Sequence, residues 1–139
     1  MTINMTEINF VAVIVAAVAT FMIGGAWYTF FAKAWQKAQG YSDDRVKEIQ
    51  EQTSPAKIFG TMILCYLIIS LIMAVMVQAA AIDSLQAGAT MGLLVWGLVS
   101  CVALTSHVSR DVALPGYLID TGYQFIYCLG TGALLGVWH

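Results

Sequence analysis

With 139 residues, 60% of them hydrophobic and 10% charged, the chain carries far less charge than the roughly 25% of a soluble domain. Its net charge of −2, from six Lys/Arg and eight Asp/Glu, provides no basic patch to neutralise phosphates, which excludes a general nucleic-acid binder. One short domain with its few charges gathered in a few places fits lipid as the main solvent.

The N-terminal "MTINMTEINF" has no basic n-region, and the apolar run after it is too long for a signal h-region, so it reads as a retained span. A helix needs about 20 apolar residues to cross the hydrocarbon core. The first candidate covers about 8–31, "INFVAVIVAAVATFMIGGAWYTFF", with Asn9, Thr20 and Gly24 roughly on one face. The polar stretch that follows opens with "FFAKAWQKAQG", aromatics and lysines suited to a helix at the interface, with Gly40 as its stop. In "YSDDRVKEIQEQ", Ser42 is a cap and Asp43 and Asp44 fall in the first turn, where the helix dipole favours them. This stretch is expected to be either a solvated, membrane-hugging connector or a docking surface for a cytoplasmic partner.

The second span, 55–82, starts where Ser54 can cap and Pro55 suits the first helical position. After the "DSLQ" turn near Asp83 come a third span over about 87–108 and a fourth over about 115–138. The expected fold is all-α: a membrane-embedded four-helix bundle with a short amphipathic cytoplasmic segment between helices 1 and 2, forming a single integral membrane domain over 1–139. Lys33, Lys37, Arg45, Lys47 and Lys57 lie between spans one and two, and Arg110 lies between three and four. The positive-inside bias therefore places both loops in the cytoplasm and both termini on the non-cytoplasmic side.

Little here could do chemistry. Cys65, Cys101 and Cys128 sit in three separate apolar runs without metal-ligand or disulfide spacing and read as buried free thiols. GxSxG, HExxH and Walker patterns are missing. "GTGALLG" has the wrong spacing for a dinucleotide fingerprint; its Gly132 and Gly136, like Gly88 and Gly92 in span three, are GxxxG pairs that let backbones approach, within one bundle or between copies. Trp27, Tyr28, Trp35, Tyr41, Tyr117 and Trp138 fall near span ends as interfacial anchors, whereas Trp96 is mid-span and reads as packing. Span four carries a polar stripe of Asp120, Gln124, Tyr127 and Thr131, and Trp96, Ser100 and His107 share a face of span three. Such groups turn inward to form interhelical hydrogen bonds or a polar path. In "SHVSRDVALPGYLID" an antiparallel hairpin brings His107 and Asp120 to similar depth. Asp120 is expected to be paired, with His107 first and Arg110 or Tyr123 of a neighbouring copy as alternatives.

"GGAWYTFFAKAWQKAQG" followed three spans later by "LIDTGYQFIYCLGTGALLGVW" resembles the DUF1761 family of small membrane proteins over nearly the whole length. The residues carrying the resemblance are Gly25, Trp27, Tyr28, Lys33, Trp35 and Gly40, then Asp120, Gly122, Tyr123, Gly132, Gly136 and Trp138. The family's common Pro after the Trp-Tyr pair and Gly before the Lys are absent, Ala32 preceding Lys33. The resemblance implies four membrane helices and a bacterial plasma membrane and supplies no activity. The expected role is that of a non-enzymatic, self-associating or accessory subunit of a membrane complex, without metal or cofactor, whose partners are the lipid bilayer and another copy or another membrane protein. The alternative is a small transporter or proton- or solute-conducting element using His107, Arg110, Asp120, Tyr123 and Gln124.

Overall fold

A computed structural model describes residues 4–139. A 3-10 turn at Met5–Glu7 precedes six helices: α1 (Phe10–Phe30), α2 (Ala32–Ala38), α3 (Asp43–Gln52), α4 (Pro55–Ala79), α5 (Leu85–Ser109) and α6 (Leu114–Val137). The expectation of four helices is thus corrected to six, because the polar segment between the first two spans folds into two short helices of its own. α1, α4 and α5 are long and apolar enough to cross a membrane. α6 is as long as they are but is not among them. Its Asp120, Thr121, Gln124 and Thr131 lower its hydropathy, and it can carry them because its neighbours shield it.

Helix ends follow local chemistry. Asn9 caps α1, accepting from the Ala12 amide, and so stands at the mouth of the first span, not on a polar face inside it. Ser42 caps α3 through the Arg45 amide, and Ser84 caps α5 through that of Ala87. Pro55 occupies the start of α4, although the Ser54 hydroxyl makes no capping bond. Gly40 (φ 71°) ends α2 in the left-handed region, as Ala81 (φ 49°) ends α4 and Asp111 (φ 52°) ends α5.

α6 is the centre of the molecule, with ten buried residues, and α1, α2, α4 and α5 all pack on it. The α5–α6 pair is the most extensive. There the two GxxxG pairs meet each other: a Cβ on Gly88 would run into the Gly132 carbonyl and one on Gly92 into that of Cys128. At Gly136 a Cβ would lie 2.6 Å from the Ser84 carbonyl oxygen. The small residues therefore serve packing within the chain. A second core joins Ile8, just before α1, to Ala12, Val13, Met73, Val77, Met91 and Leu135 from α1, α4, α5 and α6. α4 and α5 barely touch despite their short connection and leave an apolar groove of about 830 Å³ between them. Of the three thiols only Cys128 is buried; Cys65 and Cys101 face outward with the apolar side chains of α4 and α5, because helix periodicity and not residue type decides which positions turn in.

The segment between α1 and α4 divides its roles. α2 docks on the start of α6, where the Ala38 carbonyl accepts from the Ala113 amide (3.3 Å) and the Ala38 methyl sits beside Gly116. α3 buries no residue. Its Arg45 donates to Glu48 at 2.6 Å and holds that carboxyl below its ordinary range.

Candidate functional site

The last turns of α1 point two consecutive aromatics at α6. Trp27 Nε1 donates to the Ile119 carbonyl (3.0 Å), and its ring lies where a side chain on residue 122 would be: a Cβ on Gly122 would stand 3.1 Å from Trp27 Cζ2. Tyr28 Oη donates to Asp120 Oδ1 at 2.7 Å. The chain breaks direction at Phe31, and the first turn of α2 returns Trp35, whose Nε1 donates to the same Oδ1 at 2.9 Å. From the opposite side α5 sends the Trp96 indole to the Thr121 carbonyl (2.9 Å). Three indoles and a phenol thus converge on one turn of α6. Tyr123 Oη reaches back to the Thr20 carbonyl at 2.7 Å, and Gly24 leaves it room, since a Cβ there would lie 2.7 Å from that oxygen.

Trp27, Tyr28 and Trp35, read as interfacial anchors, therefore turn their polar atoms inward. Each finds on α6 an acceptor that lipid could not supply. Of that set Trp138, at the C-terminal end of α6, and Tyr41, between α2 and α3, remain on the outside. Tyr117 likewise turns in, to the Ser100 carbonyl (3.2 Å), and Trp96 proves to be a hydrogen-bond donor as well as a packing residue.

Asp120 does not hydrogen-bond to His107, Arg110 or Tyr123. Its partners come from α1 and α2, because α2 carries on past the break at Phe31 along the face of α6 that bears the carboxylate, toward the start of that helix. His107 packs against Tyr117 instead, with ring centroids 5.3 Å apart and the planes tilted by 52°. Among the described residues Arg45–Glu48 is the one ion pair, so Asp120 has two neutral donors and no cation within 4 Å.

The hairpin places His107, Arg110, Asp120 and Gln124 around one recess, while Tyr123, the fifth residue expected there, turns to a different cavity. Tyr28, Gln39, Ser106, His107, Arg110, Tyr117, Asp120 and Gln124 line a recess of about 430 Å³ at the end of the bundle bearing the basic loops. On the other side of Tyr28 and Gln124 lies a cavity of about 530 Å³ lined by Tyr28, Trp35, Gln36, Met62, Tyr66, Tyr123, Gln124 and Tyr127. Gln124 borders both, and its Oε1 is buried without a hydrogen-bond partner. Tyr127 and Thr131 continue the stripe into the core and are buried. No three His, Cys, Asp or Glu side chains come together among the described residues as a metal-binding group.

The two segments that meet here, the end of α1 with α2 and the middle of α6, lie inside residues 11–136, which match the family described as "Protein of unknown function (DUF1761)". The chain belongs to the DUF1761 family. No curated protein and no solved structure matches it. In this DUF1761 chain, Trp27, Tyr28, Trp35, Asp120, Gly122 and Tyr123 form one contact network, although 92 residues separate Tyr28 from Asp120. Tyr66 and Gln39, which the sequence does not single out, join it through the cavities. Their signal was weak, because a lone Tyr within an apolar run looks like any packing aromatic.

Proposed function

We propose that this protein crosses a bacterial plasma membrane as a bundle of α1, α4, α5 and α6, with both termini on the non-cytoplasmic side. On this reading it is a small non-enzymatic carrier or conducting element that takes a polar solute into the recess at Asp120 from the cytoplasm. The observation that carries the reading is the convergence of His107, Arg110, Asp120 and Gln124, from two helices and the turn between them, on one recess at the basic end. Ionisable groups at membrane depth are costly and tend to mark solute or ion pathways. Basic residues confined to the connections at that end support the orientation.

The test is access from water. In a chain whose own cysteines are replaced by Ala, Ser106→Cys should react with a membrane-impermeant thiol reagent in inside-out vesicles, while Leu98→Cys, on the outer apolar face, should not. Failure of Ser106→Cys to react from either side would remove the recess as a solute site.

A second reading, a self-associating or accessory subunit, is favoured by the apolar groove between α4 and α5. It draws nothing from the GxxxG pairs, which are occupied within the chain.

A further inference from the structure

The cavity on the far side of Tyr28 has a composition of its own. Tyr28, Trp35, Tyr66, Tyr123 and Tyr127 line it, and no Lys, Arg or His does; Lys33 and Lys37 of α2 are exposed and do not line it. The rings meet edge to face: Tyr28–Trp35 at 6.1 Å, Tyr28–Tyr123 at 5.5 Å and Tyr66–Tyr123 at 6.3 Å between centroids. These five rings wall the space, and an aromatic face is the negative end of the ring's quadrupole. Behind the wall stands Asp120, one hydrogen bond from both Tyr28 and Trp35. A phenol and an indole that donate to a carboxylate become richer in electrons, and among the described residues the carboxylate has no cation within 4 Å. A volume of about 530 Å³ suits a small organic ligand.

We propose that this cavity is a binding site for an organic ammonium ion, held by cation–π contact with the aromatic walls and by the charge of Asp120. This deepens the reading of the Asp120 region as a solute site and rests on it. A quaternary or alkylated ammonium matches better than a metal ion or a bare ammonium. The lining has aromatic rings and two amides but no carboxylate to replace the water of a metal ion, and an alkylated ammonium is cheaply stripped of water. The same chemistry could arrive as a free organic cation or as a choline-type lipid headgroup.

The probe is benzyltrimethylammonium, titrated calorimetrically into the full chain in maltoside micelles, which carry no ammonium. Saturable binding at one site per chain is expected. Tyr66 is not one of the donors to Asp120, so Tyr66→Leu removes a ring of the wall and leaves the Tyr28 and Trp35 hydrogen bonds in place. It should weaken binding about tenfold, whereas Tyr66→Phe, which keeps the ring, stays within about twofold of the native chain. Gln36→Lys, on the amphipathic α2 where a lysine is compatible with folding, puts a competing ammonium at the cavity and should weaken binding at least fivefold. The uncharged 3,3-dimethylbutan-1-ol should not displace the probe. Displacement by short-chain phosphatidylcholine would assign a lipid headgroup as the source, and its absence a free cation. No binding, equal displacement by the alcohol, or native affinity in folded Tyr66→Leu or Gln36→Lys overturns the proposal. A chain that fails these arms but still labels at Ser106→Cys keeps the recess and loses only the cation; one unlabelled at Ser106→Cys loses the recess itself.

Discussion

Asp120 holds three helices through one oxygen atom. Tyr28 and Trp35 both donate to Oδ1, tying α1 and α2 to α6. Hydrogen bonds inside a membrane bundle are worth about 0.6–2 kcal/mol, with charged acceptors at the upper end. Tyr28→Phe and Asp120→Ala should therefore be strongly non-additive, with a coupling of about 1–2 kcal/mol in a double-mutant cycle of unfolding in detergent. His107→Gln and Asp120→Ala, which share a recess but no bond, should add within about 0.5 kcal/mol. Coupling in the second cycle and none in the first would restore His107 as the partner. The sequence made the need for a partner legible, since an Asp at that depth must be satisfied. It did not make the identity legible. Helix periodicity places Asp120 on a face and at a depth, while the partner depends on how α2 lies against α6 after the break at Phe31, and no residue pattern announces that packing.

At the scale of elements, the α5–α6 contact decides the architecture, and glycine at four positions makes it possible. The fit is selective along α6. A Cβ on Gly132 would stand 3.1 Å from Gly92 Cα and collide with the Gly88 carbonyl, whereas one on Gly130 meets nothing within 4 Å. Gly132→Ala should cost about 1–3 kcal/mol of stability by overpacking, and Gly130→Ala should be neutral or gain up to about 1 kcal/mol from helix propensity. Thermal unfolding of the two variants in the same micelle checks this, and equal melting points would mean that the helices are not so closely seated. The GxxxG spacing was readable, and so was the stop at Gly40, the caps at Ser42 and the break before Pro55. What spacing cannot say is whether a small-residue face meets its own chain or a second copy. The register of the hairpin settles that, setting Gly88 opposite Gly132 and Gly136 through a short turn.

For the whole molecule, the arrangement is one polar helix inside a coat of apolar ones. α6 gathers ten buried residues and the polar stripe, while α1, α4 and α5 turn their apolar faces outward, as Leu94 and Leu98 of α5 do at 70% exposure each. A helix so shielded can cross a bilayer with less hydropathy than its neighbours, because it meets little lipid itself. This is where composition and architecture part. Hydropathy picks out three spans, and the packing of α6 along the full length of α5 argues for a fourth crossing. Four crossings require the two termini to share a side, whereas three would separate them. The most direct measurement is sided labelling of single cysteines at Ser42, Ser84 and His139 with an impermeant thiol reagent, in intact cells and in inside-out vesicles. The account predicts that Ser42→Cys reacts only in the inside-out vesicles, and that Ser84→Cys and His139→Cys react only from the outside. Labelling of His139→Cys on the same side as Ser42→Cys would contradict it.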